Sequence, residues 1–216
     1  SRLLHKGLFI VFEGIDGSGT TTQCELLARS IESRGVPVIR TREPGGTPLA
    51  EKIRHLVLDP DGEVDDITEL LLYAASRAHH VHEVIAPALM EGTAVICDRF
   101  VASSLAYQGY GRGLGLEPVW QVNQVAVDGC LPDLTIYLDL PLGEASRRRR
   151  ERGGNPDRME LAGERLQEQV ARAYRELADS RKEESLLLDG TRSQELLGGE
   201  ILKKLQERWP NFPLRS

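Results

Sequence analysis

The sequence predicts an α/β fold in three layers: a parallel five-stranded sheet flanked by helices on both faces. Three observations carry this. Short apolar runs recur without polar alternation, the pattern of strands buried on both sides. Helix-like segments separate them, as parallel neighbours require. Each run stops at a polar or glycine-containing turn. In chain order, the first strand is Leu-Phe-Ile-Val-Phe-Glu over 8–13, closed by Gly14, and a helix follows over about 20–34. The second strand spans 36–41 and is followed by helices over about 47–57 and 66–91, the latter expected to kink or break at Pro87. The third strand, 93–97, precedes helices over about 99–108 and 117–129. The fourth, 134–140, precedes helices over about 143–152 and 157–179, and the fifth, 185–188, a last helix over about 193–208. Such sheets collect ligands at the carboxyl ends of their strands, so function is expected in the turns that follow them.

The chain has 216 residues and a mass of 24.0 kDa, which suits one compact domain with insertions over 1–216. Hydrophobic residues make up 40% and charged residues 28%, which excludes a disordered or collagen-like chain. With 27 basic against 33 acidic residues the net charge is −6, which argues against a surface built to neutralise nucleic-acid phosphates. No apolar run approaches the roughly 18 residues of a membrane span, and the start from Ser1 to Gly7 has no secretory apolar region. A cytoplasmic protein with no membrane partner is expected. Cys24, Cys97 and Cys130 are far apart with no C-x-x-C spacing, so they read as reduced thiols within elements.

The first strand runs into Gly14-Ile15-Asp16-Gly17-Ser18-Gly19-Thr20-Thr21-Thr22 and then a helix, the context of a phosphate-binding loop whose backbone N–H groups cradle an anion. The G-x-x-x-x-G spacing is present and Thr21 stands where a magnesium-binding hydroxyl belongs. Position 20, where the motif has lysine, is Thr20. A glycine turn that binds no nucleotide is the competing reading of this segment alone. The strand and helix on either side weigh against it.

Further turns add a family resemblance. Phe12-Glu13-Gly14 onward, Thr41-Arg42-Glu43-Pro44-Gly45-Gly46-Thr47, Glu51-Lys52-Ile53-Arg54, Ala74-Ala75-Ser76-Arg77, Asp98-Arg99-Phe100, Ser103 to Gly109, Pro132 to Leu138 and Asp157-Arg158-Met159-Glu160 occur in order. In these segments, covering Gly7 to about Asp189, the chain resembles bacterial thymidylate kinases. The resemblance implies a P-loop kinase fold with a short lid, ATP as phosphate donor, Mg²⁺, and phosphorylation of dTMP to dTDP. It implies that Gly14, Gly17, Ser18, Gly19, Thr20, Thr21 and Thr22 hold ATP, and that Thr21 and Asp98 serve the metal. Arg54 and Arg99 correspond to clamps on the acceptor phosphate, a task suited to forked guanidinium donors. Arg77, Ser104 and Gln108 match positions that read thymine, Tyr73 the aromatic that stacks on the base, and Asp16 an acidic group near the sugar 3′-hydroxyl and acceptor phosphate. Glu43 lies in a turn lining the acceptor site, with its own role open. The resemblance also suggests a homodimer, for which the apolar residues of 67–90 and 119–127 offer surface.

Arg147 to Arg150 and Arg152, just before Gly153-Gly154-Asn155-Pro156, would ordinarily be a solvated helix face. Here they fall in the family's lid, 143–158, which in one class carries catalytic arginines while the phosphate loop carries none. Gly17 in place of a loop arginine agrees with that class. Arg148 and Arg152 share a helix face and are expected to reach ATP, with Arg147 and Arg150 pointing elsewhere. Together with Arg99 and Asp16 they form the expected catalytic set. His79, His80 and His82 invite a metal reading, but without a supporting carboxylate shell they read as surface residues. The aromatics of the tail, 209–216, either pack on the body or fray. The acceptor is a phosphate dianion near neutral pH (second pKa about 6), so alignment and charge stabilisation suffice, and Thr20 is expected to lower turnover. Two alternatives stand beside this reading: a nucleotide-binding regulatory relative without catalysis, and a kinase for another nucleoside monophosphate.

Overall fold

The computed structural model describes residues 6–215; the start of the chain that was read for a secretory region lies largely outside them, as does Ser216 of the tail. Five strands form one sheet: β1 Phe9–Glu13, β2 Val38–Arg42, β3 Ala94–Asp98, β4 Leu134–Asp139 and β5 Ser185–Asp189. They are all parallel, in the order β2-β3-β1-β4-β5. β1 is central and wholly buried, and the glycine loop leaves its carboxyl end between β3 and β4, where the strand order reverses. The expected fold class is present. The edge strands depart from the two-faced burial read from sequence: β2 and β5 are only partly covered, with Leu187 exposed, because each has one neighbour.

Alternation along β1 divides the core. Ile10 and Phe12 face α1 (Thr20–Ser33) and α10 (Gln194–Arg208) through Leu27, Ile31, Leu197 and Ile201. Phe9 and Val11 face the opposite layer, through Val81, Ile85, Leu89 and Val127. The helices between are α2 Pro48–Leu58, α3 Asp66–His80, α4 Ala86–Met90, α5 Val101–Ser104, α6 Leu116–Val127, α7 Leu142–Arg152, α8 Arg158–Leu161 and α9 Glu164–Ser180. A third cluster packs α9 against β4 and residues 105–111, through Tyr174, Tyr137 and Tyr107.

Three long helices expected from sequence are interrupted. The segment 66–91 changes to π-helix at Val81–Ile85, where the Ala86 N–H bonds to the Val81 carbonyl, and resumes as α4 with Pro87 in its first turn. The break lies one turn ahead of Pro87, which has no N–H to continue the ladder. The segment 99–108 is the single turn α5 followed by a π-helix over Leu105–Gly111. The segment 157–179 divides into α8 and α9 at Gly163, whose φ of +100° no α-helix contains. Trp209 and Phe212 of the tail pack on the core. No helix among the described residues is long and apolar enough to cross a membrane, and Cys24, Cys97 and Cys130 are free and buried.

Candidate active site

A cleft of about 1860 Å³ opens at the carboxyl end of the sheet. That is more than one small-ligand pocket of ~300–1,000 Å³ and leaves room for two nucleotides. The glycine loop forms its floor. Gly17 and Gly19 have φ of +89° and +95°, and a side chain on Gly17 would meet the Ala145 carbonyl at 2.7 Å. α1 begins at Thr20 with Gly19 as its N-cap and no side-chain cap, so its first N–H groups are free for an anion. Thr20, Thr21 and Thr22 line the cleft; Thr20 is buried and Thr21 exposed. Thr21 Oγ1 donates to Asp98 Oδ2 at 2.8 Å, while Asp98 Oδ1 and Ser18 Oγ are buried without a protein partner. A hydroxyl beside a carboxylate with an unused buried oxygen is an oxygen donor set that fits a hard divalent cation.

Arg99 follows β3 with φ +73°, a left-handed conformation costing a non-glycine residue on the order of 1–3 kcal/mol. Glu13, at the end of β1, holds this turn. Its carboxylate accepts from the backbone N–H of Phe100 (3.2 Å) and of Ser103 (2.9 Å) and from Ser103 Oγ (2.5 Å), capping α5 from the end of the adjacent strand. Burial pushes the Glu13 carboxyl up to about 7, against the Ser103 hydrogen bond and the Arg99 charge. The Arg99 guanidinium then donates to Asp16 Oδ1 at 2.5 Å and to the Tyr107 hydroxyl at 3.2 Å, and it stacks over the Tyr107 ring. Arg54, from α2, donates to the Pro44 carbonyl and lines the same end of the cleft, as does Tyr73.

Glu43 was open in role; the structure makes it a buried strut. Its two oxygens accept from Arg77 Nε at 2.7 Å and meet His80 Nδ1 at 2.8 Å. Arg77, 2% exposed, also donates to Ser104 Oγ, Asn123 Oδ1 and the Phe100 carbonyl. Four of its five N–H donors are thus committed to protein, leaving one on Nη2 for a ligand. The reading of the histidines as surface residues fails for His80, which is fully buried with Nε2 on Thr41 Oγ1, and for His79, half-buried on Thr47. Of these three, only His82 is exposed. Glu43, His80 and Cys97 come within 4.8 Å of one another, but both His80 nitrogens and both Glu43 oxygens already have partners, so the trio is a polar core.

Gln108 lines the cleft beside Tyr73 and Ser104. Its amide Nε2 donates to Glu69 at 2.8 Å, and Glu69 also receives Arg112 and Arg158. Burial alone would raise the Glu69 carboxyl, but donors from Arg112, Gln108 and Arg158 hold it below its ordinary value.

Arg148 sits over the loop, donating to the carbonyls of Gly17 (3.4 Å) and Gly190 (3.2 Å) and to Glu144. Arg152 lines the cleft from an exposed position, 3.7 Å from Glu160. Arg150 points to solvent, but Arg147, expected to do the same, also lines the cleft while paired to Glu144 and Glu151. Arg149 reaches the Asp16 carbonyl. Sequence reasoning missed Glu13, Glu69, Asn123 and the 190–194 turn that lines the cleft after β5. A signal existed for the first two: each is a carboxylate at an otherwise apolar position, Glu13 closing the β1 run and Glu69 beside Leu70.

A parallel sheet with a glycine loop at its switch point, a hydroxyl–carboxylate pair beside it and arginines converging from α2, β3 and α7 defines a P-loop phosphotransferase. The thymidylate kinase family model matches residues 12–201, and the chain belongs to that family. It is 47% identical over 203 residues to the thymidylate kinase of Pelotomaculum thermopropionicum, covering 94% of each chain. It is also 47% identical over 208 residues to that of Halothermothrix orenii, covering 93% of this chain and 97% of the relative. The crystal structure of thymidylate kinase from Ehrlichia chaffeensis superposes with a TM-score of 0.73 at 35% identity, over 93% of this chain and 99% of that one. The chain is accordingly a nucleoside-monophosphate kinase, and its reaction is the ATP-dependent phosphorylation of dTMP, of a kind generally assisted by a divalent metal.

Proposed function

We propose that this chain carries out that reaction with Mg²⁺ as the metal, and at a turnover lowered by Thr20. The observation that carries the reading is the convergence, in one cleft, of the glycine loop, the Arg99–Asp16 pair and the Arg77–Ser104–Gln108 group. Gly14 to Thr22 hold the donor phosphates through backbone N–H groups and the α1 N-terminus. Arg54 and Arg99 orient the acceptor phosphate, with Asp16 steadying Arg99 beside the sugar. Tyr73 covers the base, and Arg77, Ser104 and Gln108 read its edge. Thr21 and Asp98 would hold the metal, which would supply positive charge to offset that of the donor phosphates. An acceptor that is already a dianion needs no general base, so these residues work by alignment and charge.

The lysine missing at position 20 removes one fixed cation from the transferred group, a loss of the order of 10² to 10³ in rate. We read 143–158 as a lid whose Arg148 and Arg152 restore part of that charge. The support is Arg148, already lying against the loop at Gly17, and an exposed Gly153-Gly154 pair at the end of α7. Exposed Ile67 and Leu71 on one face of α3, and Val125 on the neighbouring α6, support a homodimer; light scattering at micromolar concentration should give twice the chain mass, and a monomer rejects it. Three free buried thiols support a cytoplasmic setting.

The test is a coupled assay of ADP formation with ATP, Mg²⁺ and dTMP on this chain beside Thr20→Lys. Measurable dTMP-dependent turnover that rises in the lysine form supports the reading. Calorimetric dTMP binding with no ADP from either form overturns it in favour of a non-catalytic nucleotide-binding relative, and faster turnover on dUMP reassigns the acceptor.

A further inference from the structure

Glu69 lies fully buried on α3, one turn before Tyr73, and its carboxylate gathers three side chains from two segments distant in sequence. Oε1 accepts from Gln108 Nε2 at 2.8 Å and from Arg112 Nε at 3.2 Å; Oε2 accepts from Arg112 Nη2 at 3.1 Å and Arg158 Nη2 at 2.6 Å. Arg112 also lies 3.9 Å from Asp66, so two arginines meet two carboxylates. An ionised carboxylate accepts hydrogen bonds and cannot donate. Gln108 can meet it only with its NH₂ group, and the amide carbonyl oxygen must then turn the other way. No described residue donates to that oxygen, and Gln108 lines the cleft.

We propose that Glu69 is a specificity-determining positioning residue, which fixes the Gln108 amide so that the base meets an acceptor. The inference rests on the reading of Gln108 as a residue facing the base. A pyrimidine with a protonated ring N3, as in thymine, donates to that oxygen. Cytosine presents a bare nitrogen lone pair at N3 and is repelled. With Asn or Gln in place of Glu69 the partner could itself donate, the Gln108 amide could rotate, and the site would lose its preference between the two edges. The same carboxylate receives Arg158, which closes the lid segment and opens α8 and also donates to the Val57 carbonyl at 2.7 Å, so the base-reading amide and the C-terminal end of the lid share one anchor.

The test is calorimetric binding of dTMP and dCMP, which needs no turnover, on the native chain, Glu69→Asp, Glu69→Gln, Gln108→Ala and the Glu69→Asp/Gln108→Ala pair. Glu69→Asp keeps the charge that balances both arginines while withdrawing the acceptor from Gln108; thermal melts verify that each variant is folded. The dTMP-over-dCMP preference should fall by about tenfold in Glu69→Asp and Glu69→Gln, the scale of one buried hydrogen bond, and this fall should vanish in the Gln108→Ala background. An unchanged preference in folded Glu69→Asp, or a fall that persists without Gln108, overturns the proposal while leaving Gln108 as base reader. Unchanged dTMP affinity in Gln108→Ala removes the reading on which it rests.

Discussion

Arg77 stands in the base-reading group, but its surroundings make it first a pillar of the fold. Replacing it with Met keeps most of the stem and removes the guanidinium. Glu43, 4% exposed, then loses its cation, and the acceptors on Ser104, Asn123 and Phe100 lose their donor. Breaking one partner of a buried ion pair costs about 3–5 kcal/mol, and each stranded acceptor adds up to about 1–3 kcal/mol where local water or rearrangement does not reach it. Local relaxation keeps these from adding fully, so Arg77→Met should cost about 4–6 kcal/mol of stability. At roughly 2–4 °C per kcal/mol for a chain of this size, the melting temperature falls by about 8–24 °C. One contact to a base, by contrast, is worth about 1–3 kcal/mol of affinity. Urea denaturation followed by circular dichroism, on Arg77→Met, Glu43→Gln and the double variant, measures the pair directly. The double variant should be more stable than the sum of the singles predicts by about 2 kcal/mol or more, because neutralising Glu43 removes the stranded charge. A loss below about 1.5 kcal/mol in Arg77→Met, or strict additivity, refutes the account of Glu43–Arg77 as a buried strut.

Thr20→Lys should raise kcat about tenfold or more if the lysine contributes even ~1.4 kcal/mol to the transition state. Arg148→Ala should then damage kcat more in the native chain than in the lysine background, since Arg148 already lies over the loop at Gly17; independent effects count against compensation. Glu13, at about 7 when folded against 4.5 for the free carboxyl, binds more protons in the folded than in the unfolded state between those values. Stability should therefore fall by about 3 kcal/mol as pH rises from 4.5 to 7 and level off above, and the slope should largely disappear in Glu13→Gln; parallel slopes in both proteins reject this. Asp98→Asn should weaken Mg²⁺ dependence and lower kcat by about 10² while the chain stays folded; an unchanged Mg²⁺ titration would remove Asp98 from the metal site.

The sheet was legible in the sequence because a central parallel strand must be apolar on both faces and must end in a turn, and β1, β3 and β4, Thr135 apart, follow that rule up to the carboxylate that closes each. The glycine loop was legible for the same kind of reason: its function lies in the backbone, and Gly17 and Gly19 occupy conformations that only glycine adopts freely. Pro87 announced the interruption of the 66–91 helix, but local patterns could not give its form: at 81–85, as at 105–111, the chain trades α for π hydrogen bonding, and over so short a stretch the two differ too little in periodicity to be told apart.

What the sequence alone determined is the set of chemical groups and the order in which strands deliver them to one edge of the sheet: the loop after β1, Glu43 after β2, Arg99 after β3, the arginines after β4. What only the tertiary structure decided is which charges face ligand and which are spent on the protein. Arg77 gives four donors to Glu43, Ser104, Asn123 and Phe100, His80 is sealed between Thr41 and Glu43, and Glu69 turns an amide it does not adjoin in sequence. These pairings join residues 23 to 46 positions apart, and a side chain's partner across such a distance is set by how layers pack, for which periodicity along one element carries no signal.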